Sequence, residues 1–354
     1  VEAAGFEGVR RKCQPWLIDR KARSDINGRA RATAARLINA PTETIALVPS
    51  VSYGFATAAQ VLPPAQGSRV LVLENDHVSP VLAWDAPARA AGATVETVLS
   101  PTDGDWTSAV RAAIARPGAA PVSVASISMV HWSEGAVLDL AAIAEDLRLI
   151  GGALAIDATQ AVGVLPVDVA AIDPDFVMWP TYKWLLGPYG RAFLYVAPRH
   201  FDGLPIEQTA SGRRGIDSEG AVYLADRTYV DDARRYDMGE RDHFVTMEMA
   251  TAGMSFVLER GVPEIETYVR ALSDDVRAHW DDRIAISGPS AAPHIVSINV
   301  PPETSKAICS DLAAAGIHVS PRLGRVRVSP HVYNDAEDIA RFNSAFETAL
   351  ARHA

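Results

Sequence analysis

The sequence of 354 residues predicts an α/β fold with a mostly parallel central sheet flanked by helices, followed by a smaller α+β domain. Two observations lead to this prediction. From about residue 28 to residue 200, short apolar runs alternate with alanine-rich helical stretches, as expected for parallel strands joined by crossover helices. After residue 244 the pattern changes to a long helical tract followed by a strand, a helix, another strand and a closing helix.

Each predicted strand is a short apolar run bounded by glycine, proline or polar residues. The strand candidates are residues 45–48, 69–73, 94–99, 121–126, 153–156, 176–179 and 192–196. The helix candidates between them are residues 29–39, 53–61, 80–91, 106–115 and 138–149. Ligands of such folds bind at the carboxyl ends of the strands, so we expect functional residues directly after strands.

The second half of the chain is organised differently. Residues 200–245 are polar and irregular, and we expect loops over the active site or against a partner subunit. The later elements are a helical tract from 244 to 280, a linker-like loop at 281–293, a strand at 294–300, a helix at 303–315, an edge strand near 325–329 and a helix at 336–352. We predict a large domain at 15–245 and a small domain at 246–354, with residues 1–14 packing on the small one.

Composition narrows the class of protein. A hydrophobic content of 48%, a charged content of 21% and a net charge of −10 indicate a globular protein and disfavour nucleic acid as a partner. No apolar run is long enough to span a bilayer, and the first residues lack a signal-peptide pattern, so the cytoplasm is expected. The chain begins with Val1, which is consistent with native residues preceding it. The two cysteines, Cys13 and Cys309, are too few and too distant for a disulfide framework or a metal site.

Lys183 is the only lysine between Lys21 and Lys306, and residues 179–190 around it are apolar, rich in glycine and otherwise uncharged. An ammonium kept among aromatic side chains loses solvation, so its pKa is expected to fall and the amine to become nucleophilic. Schiff-base chemistry with a carbonyl cofactor needs such an amine. Alternatively, the stem of the lysine packs on the tryptophans and its head reaches water.

Asp157 directly follows the apolar run 153–156, where a buried carboxylate is costly without a cationic partner. A protonated pyridinium nitrogen is one such partner, and a ring that holds this proton acts as an electron sink. The alternative role is a helix N-cap. Gln160 follows three residues later, and its amide can donate to a phenolate oxygen of the same ring.

Other candidate side chains also lie next to predicted strands. His77 can stack on a flat ring or shuttle a proton, or it is a surface histidine. Ser50 and Ser52 precede a helix, where they either bind phosphate or only cap the helix. Arg325 and Arg327 share one face of a strand and can clamp a carboxylate, although an arginine on an edge strand is usually solvated.

With these residues assembled, the chain resembles the class V aminotransferase family of fold type I enzymes that use pyridoxal 5′-phosphate (PLP), from about residue 39 to residue 346. The family includes cysteine desulfurases, kynureninases, isopenicillin N epimerase-like proteins and C–S lyases. The resemblance is carried by Asp-His-Val-Ser-Pro at 76–80, Asp-Ala-Thr-Gln-Ala-Val-Gly at 157–163, Tyr-Lys-Trp-Leu-Leu-Gly-Pro-Tyr-Gly at 182–190 and Arg-Val-Ser-Pro-His-Val-Tyr-Asn at 327–334. Their order and spacing together are specific.

The resemblance implies PLP as the cofactor and an amino acid as the substrate. By position, Lys183 would form the Schiff base, Asp157 would pair with the pyridinium nitrogen, Gln160 would contact the phenolate oxygen and His77 would stack on the ring. The family is typically dimeric, which implies a homodimer with the active site at the subunit interface.

The resemblance also implies residues for the two ends of the site. Val51 and Ser52 would hold the phosphate, and Arg327, with Arg325 on the same strand face, would bind the substrate carboxylate. Glu240 lies in the segment 237–242, which matches the loop that the partner subunit of relatives extends to the phosphate.

The chain departs from the family pattern at several positions. The loop 316–324 has no cysteine, whereas desulfurases carry a persulfide-forming cysteine there, and Cys309 lies on the preceding predicted helix. Trp132 stands where many relatives have a polar residue, which suggests a bulky wall. Pro180 and Tyr182 replace a phosphate-binding serine and a histidine, so phosphate contacts are expected to shift to Thr181 or the partner subunit, and Tyr182 is expected to contact the cofactor.

The resemblance implies an enzyme that acts at Cα and Cβ of an amino acid. We expect cleavage of a Cβ–S bond in a cysteine-derived substrate, with transamination and epimerisation as the alternatives. A non-catalytic binding scaffold would have no need for a nucleophilic lysine. A nucleotide-binding oxidoreductase would need a glycine-rich turn after the first strand, and residues 47–54 do not supply one.

Overall fold

The computed structural model describes residues 1–214, 216, 227–280, 284 and 291–353, apart from the side chain of Arg20. The chain divides into two units. The first contains Val1–Ser100, Thr107–Met129 and Asp139–Arg260, and the second contains Pro101–Trp106, Val130–Leu138 and Gly261–Ala354. The predicted domain boundary at residue 246 stays a prediction, because dense internal contacts do not show that a unit folds alone.

Within the described residues, the first unit is built on a sheet of seven strands. The strands are β1 (Ile45–Val48), β2 (Arg69–Leu73), β3 (Thr94–Val98), β4 (Val122–Ser128), β5 (Ala153–Asp157), β6 (Phe176–Pro180) and β7 (Ala192–Val196). Their order is β1-β7-β6-β5-β4-β2-β3, and β7 runs antiparallel to both β1 and β6, whereas the other adjacent pairs of this sheet are parallel. The predicted fold class is therefore confirmed, and each predicted strand lies within two residues of an observed one.

The sheet is flanked by helices, several of which begin at sequence-encoded caps. They are α1 (Glu2–Lys12), α2 (Arg20–Leu37), α3 (Val51–Val61), α4 (Val78–Leu82), α5 (Asp85–Ala91), α6 (Trp106–Ile114), α7 (Leu140–Leu149), α8 (Val169–Ile172) and α9 (Phe244–Arg260). Asp19, Ser50 and Asp139 each accept a backbone N–H from the first turn of the helix that follows.

The prediction of one helix at 80–91 is wrong, because the structure has α4 and α5 in its place. Pro87 lies in the first turn of α5, where its missing N–H costs nothing, so it starts a new helix. Helix α1 was not predicted. It packs on α9, where a Cβ added to Gly8 would lie 2.6 Å from the carbonyl oxygen of Phe244. No helix among the described residues is both long enough and apolar enough to cross a bilayer.

The second unit packs helices on a small antiparallel sheet. Its elements are α10 (Val262–Trp280), β8 (Val296–Asn299), α11 (Ser305–Ala314), β9 (Ser320–Arg322), β10 (Arg325–Val328) and α12 (Ala336–Arg352). Trp280 and Phe346 meet edge to face at 4.9 Å in its core. The predicted loop at 281–293 lies largely outside the described residues.

Two sequence predictions for this region are wrong. The helical tract from 244 to 280 is interrupted at Gly261, whose φ of +86° ends α9, and α10 begins at the next residue. Strand β10 is the middle strand in the order β8-β10-β9, not an edge strand. The short strand β9 was not predicted, and a tight turn through Leu323 and Gly324, both with left-handed φ, connects it to β10.

Candidate active site

A cleft of about 340 Å³ opens at the carboxyl ends of the parallel strands of the first unit. Its walls come from the segments that follow β1, β2, β5 and β6, and from the residues that precede the antiparallel strand β7. The lining residues are Pro49, Ser50, Val51, Ser52, His77, Ser79, Thr159, Pro180, Tyr182, Lys183, Tyr189, Gly190 and Arg191. The structure therefore brings most of the predicted cofactor residues together where the fold class places ligands.

Lys183 lies in a tight turn after β6 and is partly buried. Its Nζ is 6.0 Å from the ring centroid of Tyr182, which stacks on Tyr189 with a centroid separation of 4.0 Å. Glycine is needed beside this turn, since a Cβ on Gly163 would lie 2.9 Å from the carbonyl oxygen of Trp184. The lysine is thus held in the cleft by a turn that has little freedom to move.

Asp157, the last residue of β5, is buried, and its Oδ1 accepts the backbone N–H of Thr159 at 2.8 Å. Burial raises the pKa of its carboxyl, while the hydrogen bonds from Thr159 and the positive charge of the His77 and Lys183 side chains oppose that shift. Within the described part of the chain, no lysine, arginine or histidine nitrogen lies within 4 Å of this carboxylate. A buried carboxylate without a paired cation fits a pyridinium N–H.

Gln160 and His77 are two further predicted cofactor residues near this carboxylate in the fold. Gln160 is buried, and its Oε1 accepts the indole N–H of Trp184 at 3.0 Å, which ties the loop after β5 to the turn that carries Lys183. His77 lines the cleft at the start of α4, and its Nδ1 accepts the N–H of Ser79 at 3.5 Å.

Asp76 is the first residue of the motif at 76–80, and the sequence predicted no role for it. Its Oδ1 accepts from the hydroxyl of Ser128 at 2.6 Å and from the N–H of His77 at 2.7 Å, and its Oδ2 accepts the N–H of Ser128 at 3.1 Å. Burial of the carboxyl, together with the nearby charge of Asp157, raises the pKa of Asp76 to about 7 despite these hydrogen bonds.

Only some of the residues predicted to bind phosphate line the cleft. Ser50, Val51 and Ser52 form the N-terminus of α3 in the cleft, where the Ser50 Oγ accepts the N–H of Tyr53 at 3.1 Å. Thr181 is fully buried, and its hydroxyl donates to the carbonyl oxygen of Pro188 at 2.8 Å, so it holds the turn and does not line the cleft. Glu240 is exposed and lines a different cavity of the same unit.

The predicted substrate residues belong to the second unit. Arg327 is largely buried and donates from Nη1 to the carbonyl oxygen of Trp132. Arg322 lies over the indole of Trp132, with 5.4 Å between its Cζ and the ring centroid. Burial and the charge of Arg322 lower the pKa of Arg327 to about 10. No carboxylate lies within 4 Å of either guanidinium among the described residues, and this pair of cations, Arg322 and Arg327, is the candidate anion site.

The charge of Arg325, unlike the charges of Arg322 and Arg327, is compensated by an ion pair. Its Nη1 lies 3.1 Å from the Oε1 of Glu134, which also accepts the indole N–H of Trp106 at 3.2 Å through Oε2. Since the charge of Arg325 is already paired, Arg327 is the better candidate for a substrate carboxylate.

The two cysteines differ in burial. Cys309 is buried on α11, and burial raises the pKa of its thiol. Cys13 is an exposed residue at the end of α1. A low thiol pKa is what makes a cysteine attack sulfur, and Cys309 has the opposite shift.

Comparison with known proteins agrees with this geometry. The family model of class-V aminotransferases matches residues 20–342. An uncharacterised aminotransferase of Bacillus subtilis (strain 168) is 27% identical over 88% of this chain and 80% of its own length. A probable cysteine desulfurase of Pyrococcus abyssi is 26% identical over 90% of this chain and 82% of its own length.

Among solved structures, the cystine C–S lyase C-DES in complex with its product cysteine persulfide superposes with a TM-score of 0.86 at 18% identity, over 97% of this chain and 92% of the lyase. Another structure of that lyase holds glycine covalently linked to its PLP cofactor, with a TM-score of 0.85. These likenesses confirm the fold that the resemblance implied.

Proposed function

The chain belongs to the class-V aminotransferase family and is a PLP-dependent enzyme, and from this premise we propose that it cleaves the Cβ–S bond of a cysteine-derived amino acid. The proposal rests mainly on one observation, the buried Cys309 with its raised thiol pKa in a chain whose 316–324 loop has no cysteine. Without a protein thiolate to take sulfur from the substrate, sulfur leaves as part of the product.

The residues in the cleft have distinct tasks in this proposal. PLP, when bound, supplies a conjugated ring that delocalises the electron pair left at Cα after the proton departs. Lys183 holds the cofactor through its Nζ, and this amine, once displaced by the substrate, takes the Cα proton. Asp157 would pair with the ring nitrogen, and His77 would pack on the ring face.

The Cβ–S bond then breaks by β-elimination. The electron pair from the Cα–H bond forms the Cα–Cβ double bond, and the sulfur departs as a thiolate or persulfide. The three-carbon remainder hydrolyses to pyruvate and ammonia, and no oxidant is needed. Lys183 would act as the base at Cα and would pass this proton to the departing sulfur, which leaves its amine free to hold the cofactor again.

The substrate end of the proposal uses the anion site of the second unit. Arg327 would bind the α-carboxylate through its guanidinium fork. Arg322 adds a second cation over the face of Trp132. Two partly buried guanidinium groups that no described carboxylate neutralises favour a substrate with two anionic groups over one with a single carboxylate. We therefore propose a cysteine derivative whose sulfur substituent carries its own carboxylate.

The homodimer and the shared active site stay part of this proposal. The family pattern places the segment 237–242 in the partner's phosphate site, and Glu240 is exposed and adopts a left-handed φ of 49° in that segment. A measurement of the molar mass in solution with the holoenzyme tests this expectation.

The decisive experiment follows the products. Purified holoenzyme is incubated with L-cystine, with neutral S-alkyl cysteines and with common amino acids, and pyruvate, ammonia and thiol are measured. Release of pyruvate and sulfur in equal amounts would support the lyase reaction, and the Lys183→Ala variant should release neither product. Conversion of the cofactor to its pyridoxamine form, reversed by a keto acid, would instead assign a transaminase. Loss of optical activity without pyruvate would assign an epimerase.

A further inference from the structure

Arg191 is a charged residue of the cleft for which the sequence pattern gives no role. It lies between Gly190 and the first residue of β7, and β7 begins at the cleft because it runs antiparallel to the other strands. Its backbone is fixed, since its carbonyl oxygen accepts the N–H of Thr181 at 3.0 Å and the hydroxyl of Thr181 at 3.2 Å. The backbone that carries the Arg191 side chain is therefore fixed where β7 begins.

The guanidinium of Arg191 has only neutral partners among the described residues. Its Nε donates to the hydroxyl of Thr246 at 2.8 Å, and its Nη1 points at the sulfur of Met238 at 3.2 Å. The residue is only 5% exposed. Burial lowers the pKa of Arg191, and the charge of Asp242 offsets only part of that shift without forming an ion pair. A buried cation without a counterion is costly, so the surroundings of Arg191 favour the binding of an anion.

The hydroxyl of Thr246 is itself oriented. It lies 3.0 Å from the Nδ1 of His243, which also accepts the N–H of Thr246 at 3.2 Å. Burial and the charge of Arg191 lower the pKa of His243, which keeps its Nδ1 an acceptor. The hydroxyl thus donates to His243 and presents its lone pairs to Arg191. This chain of contacts holds the guanidinium in place rather than neutralising it.

The cleft also contains an element that is suited to binding a phosphate. The N-terminus of α3, with Ser50, Val51 and Ser52, lines the same cleft and offers backbone N–H groups with a favourable dipole. Lys183 and Arg191 are the lysine and arginine side chains among the cleft-lining residues, and Lys183 is used by the cofactor's carbonyl. Arg191 is therefore the cation available to a phosphate dianion.

We propose that Arg191 binds the PLP phosphate together with the N-terminus of α3. Arg191 replaces the phosphate-binding serine and histidine that the chain lacks at positions 180 and 182. Thr181 fixes the backbone of Arg191 through the two hydrogen bonds to its carbonyl oxygen. The proposal rests on PLP as the cofactor of the proposed function, but on none of the steps at Cα and Cβ. Its failure and the failure of the lyase assignment are therefore separate results.

The test compares two ligands that differ only in the phosphate. Apoprotein is titrated with PLP and with pyridoxal, and the dissociation constants are read from absorbance and intrinsic fluorescence at equilibrium, without substrate. Arg191→Met keeps most of the length of the side chain and removes its charge. Loss of a charge-assisted bidentate contact should weaken PLP binding roughly 10- to 100-fold. Pyridoxal binding should stay unchanged.

A matched control separates this contact from net charge. Arg111→Met removes an equal charge from an exposed arginine that pairs with Asp146, and it should change neither dissociation constant. Inorganic phosphate provides a further readout, because it should strengthen pyridoxal binding to the parent protein by occupying the position of the missing phosphate group. The same addition should have no effect on Arg191→Met.

The outcomes are distinguishable. Unchanged PLP affinity in Arg191→Met, or an equal loss for PLP and pyridoxal, would overturn the proposal and leave Arg191 a structural residue. If the methionine variant does not fold, Arg191→Lys carries the test. Its single ammonium keeps the charge but not the fork, so PLP affinity should fall by a smaller factor with pyridoxal affinity intact. Equal affinities of this variant and the parent for PLP would exclude the bidentate contact.

Discussion

Replacing Asp76 by asparagine should change how the stability of the apoprotein depends on pH. The carboxyl of Asp76 accepts three hydrogen bonds, yet burial and the charge of Asp157 raise its pKa from 3.8 to about 7. The folded protein therefore keeps a proton on this group over a pH range in which the unfolded chain has lost it. Its folded state loses stability as pH rises from about 4 through 7.

The size of the effect follows from the shift. Each pKa unit corresponds to about 1.4 kcal/mol, so between pH 5 and pH 8 the parent should lose roughly 2–3 kcal/mol of unfolding free energy through this one group. The asparagine side chain cannot titrate, so the variant should not lose this unfolding free energy. Its amide nitrogen would face the N–H of Ser128 where a carboxyl oxygen now accepts, which should cost about 1–3 kcal/mol at every pH.

The assay is equilibrium urea unfolding of the apoprotein at several pH values, followed by circular dichroism. Asp76→Asn should be less stable than the parent at pH 5 and should gain on it steadily up to pH 8. Asp103→Asn, which removes an exposed loop carboxylate, should follow the parent. If the curves of Asp76→Asn and the parent run parallel across this range, Asp76 is ionised in the fold and the argument from its burial fails.

Three further predictions address the lysine, the anion site and the turn. Lys183→Ala should abolish the visible absorbance of the protein-linked cofactor, which dialysis followed by a spectrum checks. Arg322→Met should raise the KM for a dianionic cysteine derivative roughly tenfold or more, with little effect on a neutral S-alkyl cysteine. Arg325→Met should affect the two substrates alike, because its charge is paired. Gly163→Ala should destabilise the fold by about 2 kcal/mol or more in urea unfolding, since φ is +103° and its Cβ would meet backbone. Gly28→Ala, in open space on a helix, should be neutral or stabilising.

The fold was largely predictable because its information is local. An apolar run of four or five residues bounded by breakers specifies a strand such as β1 or β7, and alternation with helices specifies the parallel order. The position of Asp157 and Lys183 after strands then followed from the architecture. Both carry a chemistry that few structural roles require, so their sequence context alone was informative.

The errors came from features that depend on backbone conformation. Gly261 divides the tract from 244 to 280 through a left-handed φ, whereas an isolated glycine in a helical pattern is often tolerated. Strand β9 contains Pro321 and is only three residues long, so neither length nor propensity identifies it. Without β9 the strand at 325–328 looked like an edge strand. The premise that Arg327 lies on an edge strand was wrong for the same reason.

Arg191 and Asp76 show why charge in a cleft is hard to infer from sequence. Arg191 is buried through contacts with Met238 and Thr246, which lie about fifty residues further along the chain, and Asp76 is enclosed only where the ends of β2, β4 and β5 converge. In the sequence each is an ordinary polar residue beside a strand, and only the tertiary contacts show that its charged group is enclosed.

The charges in and beside the cleft nevertheless form a pattern. Asp157 is a buried carboxylate without a paired cation among the described residues, and Arg191 is a buried guanidinium without a paired anion there. PLP carries the complement of both, a cationic ring nitrogen and an anionic phosphate. Each residue alone destabilises the apoprotein, and the same cofactor relieves both costs at once. Binding of PLP should therefore stabilise the parent against urea more than it stabilises either Asp157→Asn or Arg191→Met, in which one of the two complementary charges is already gone.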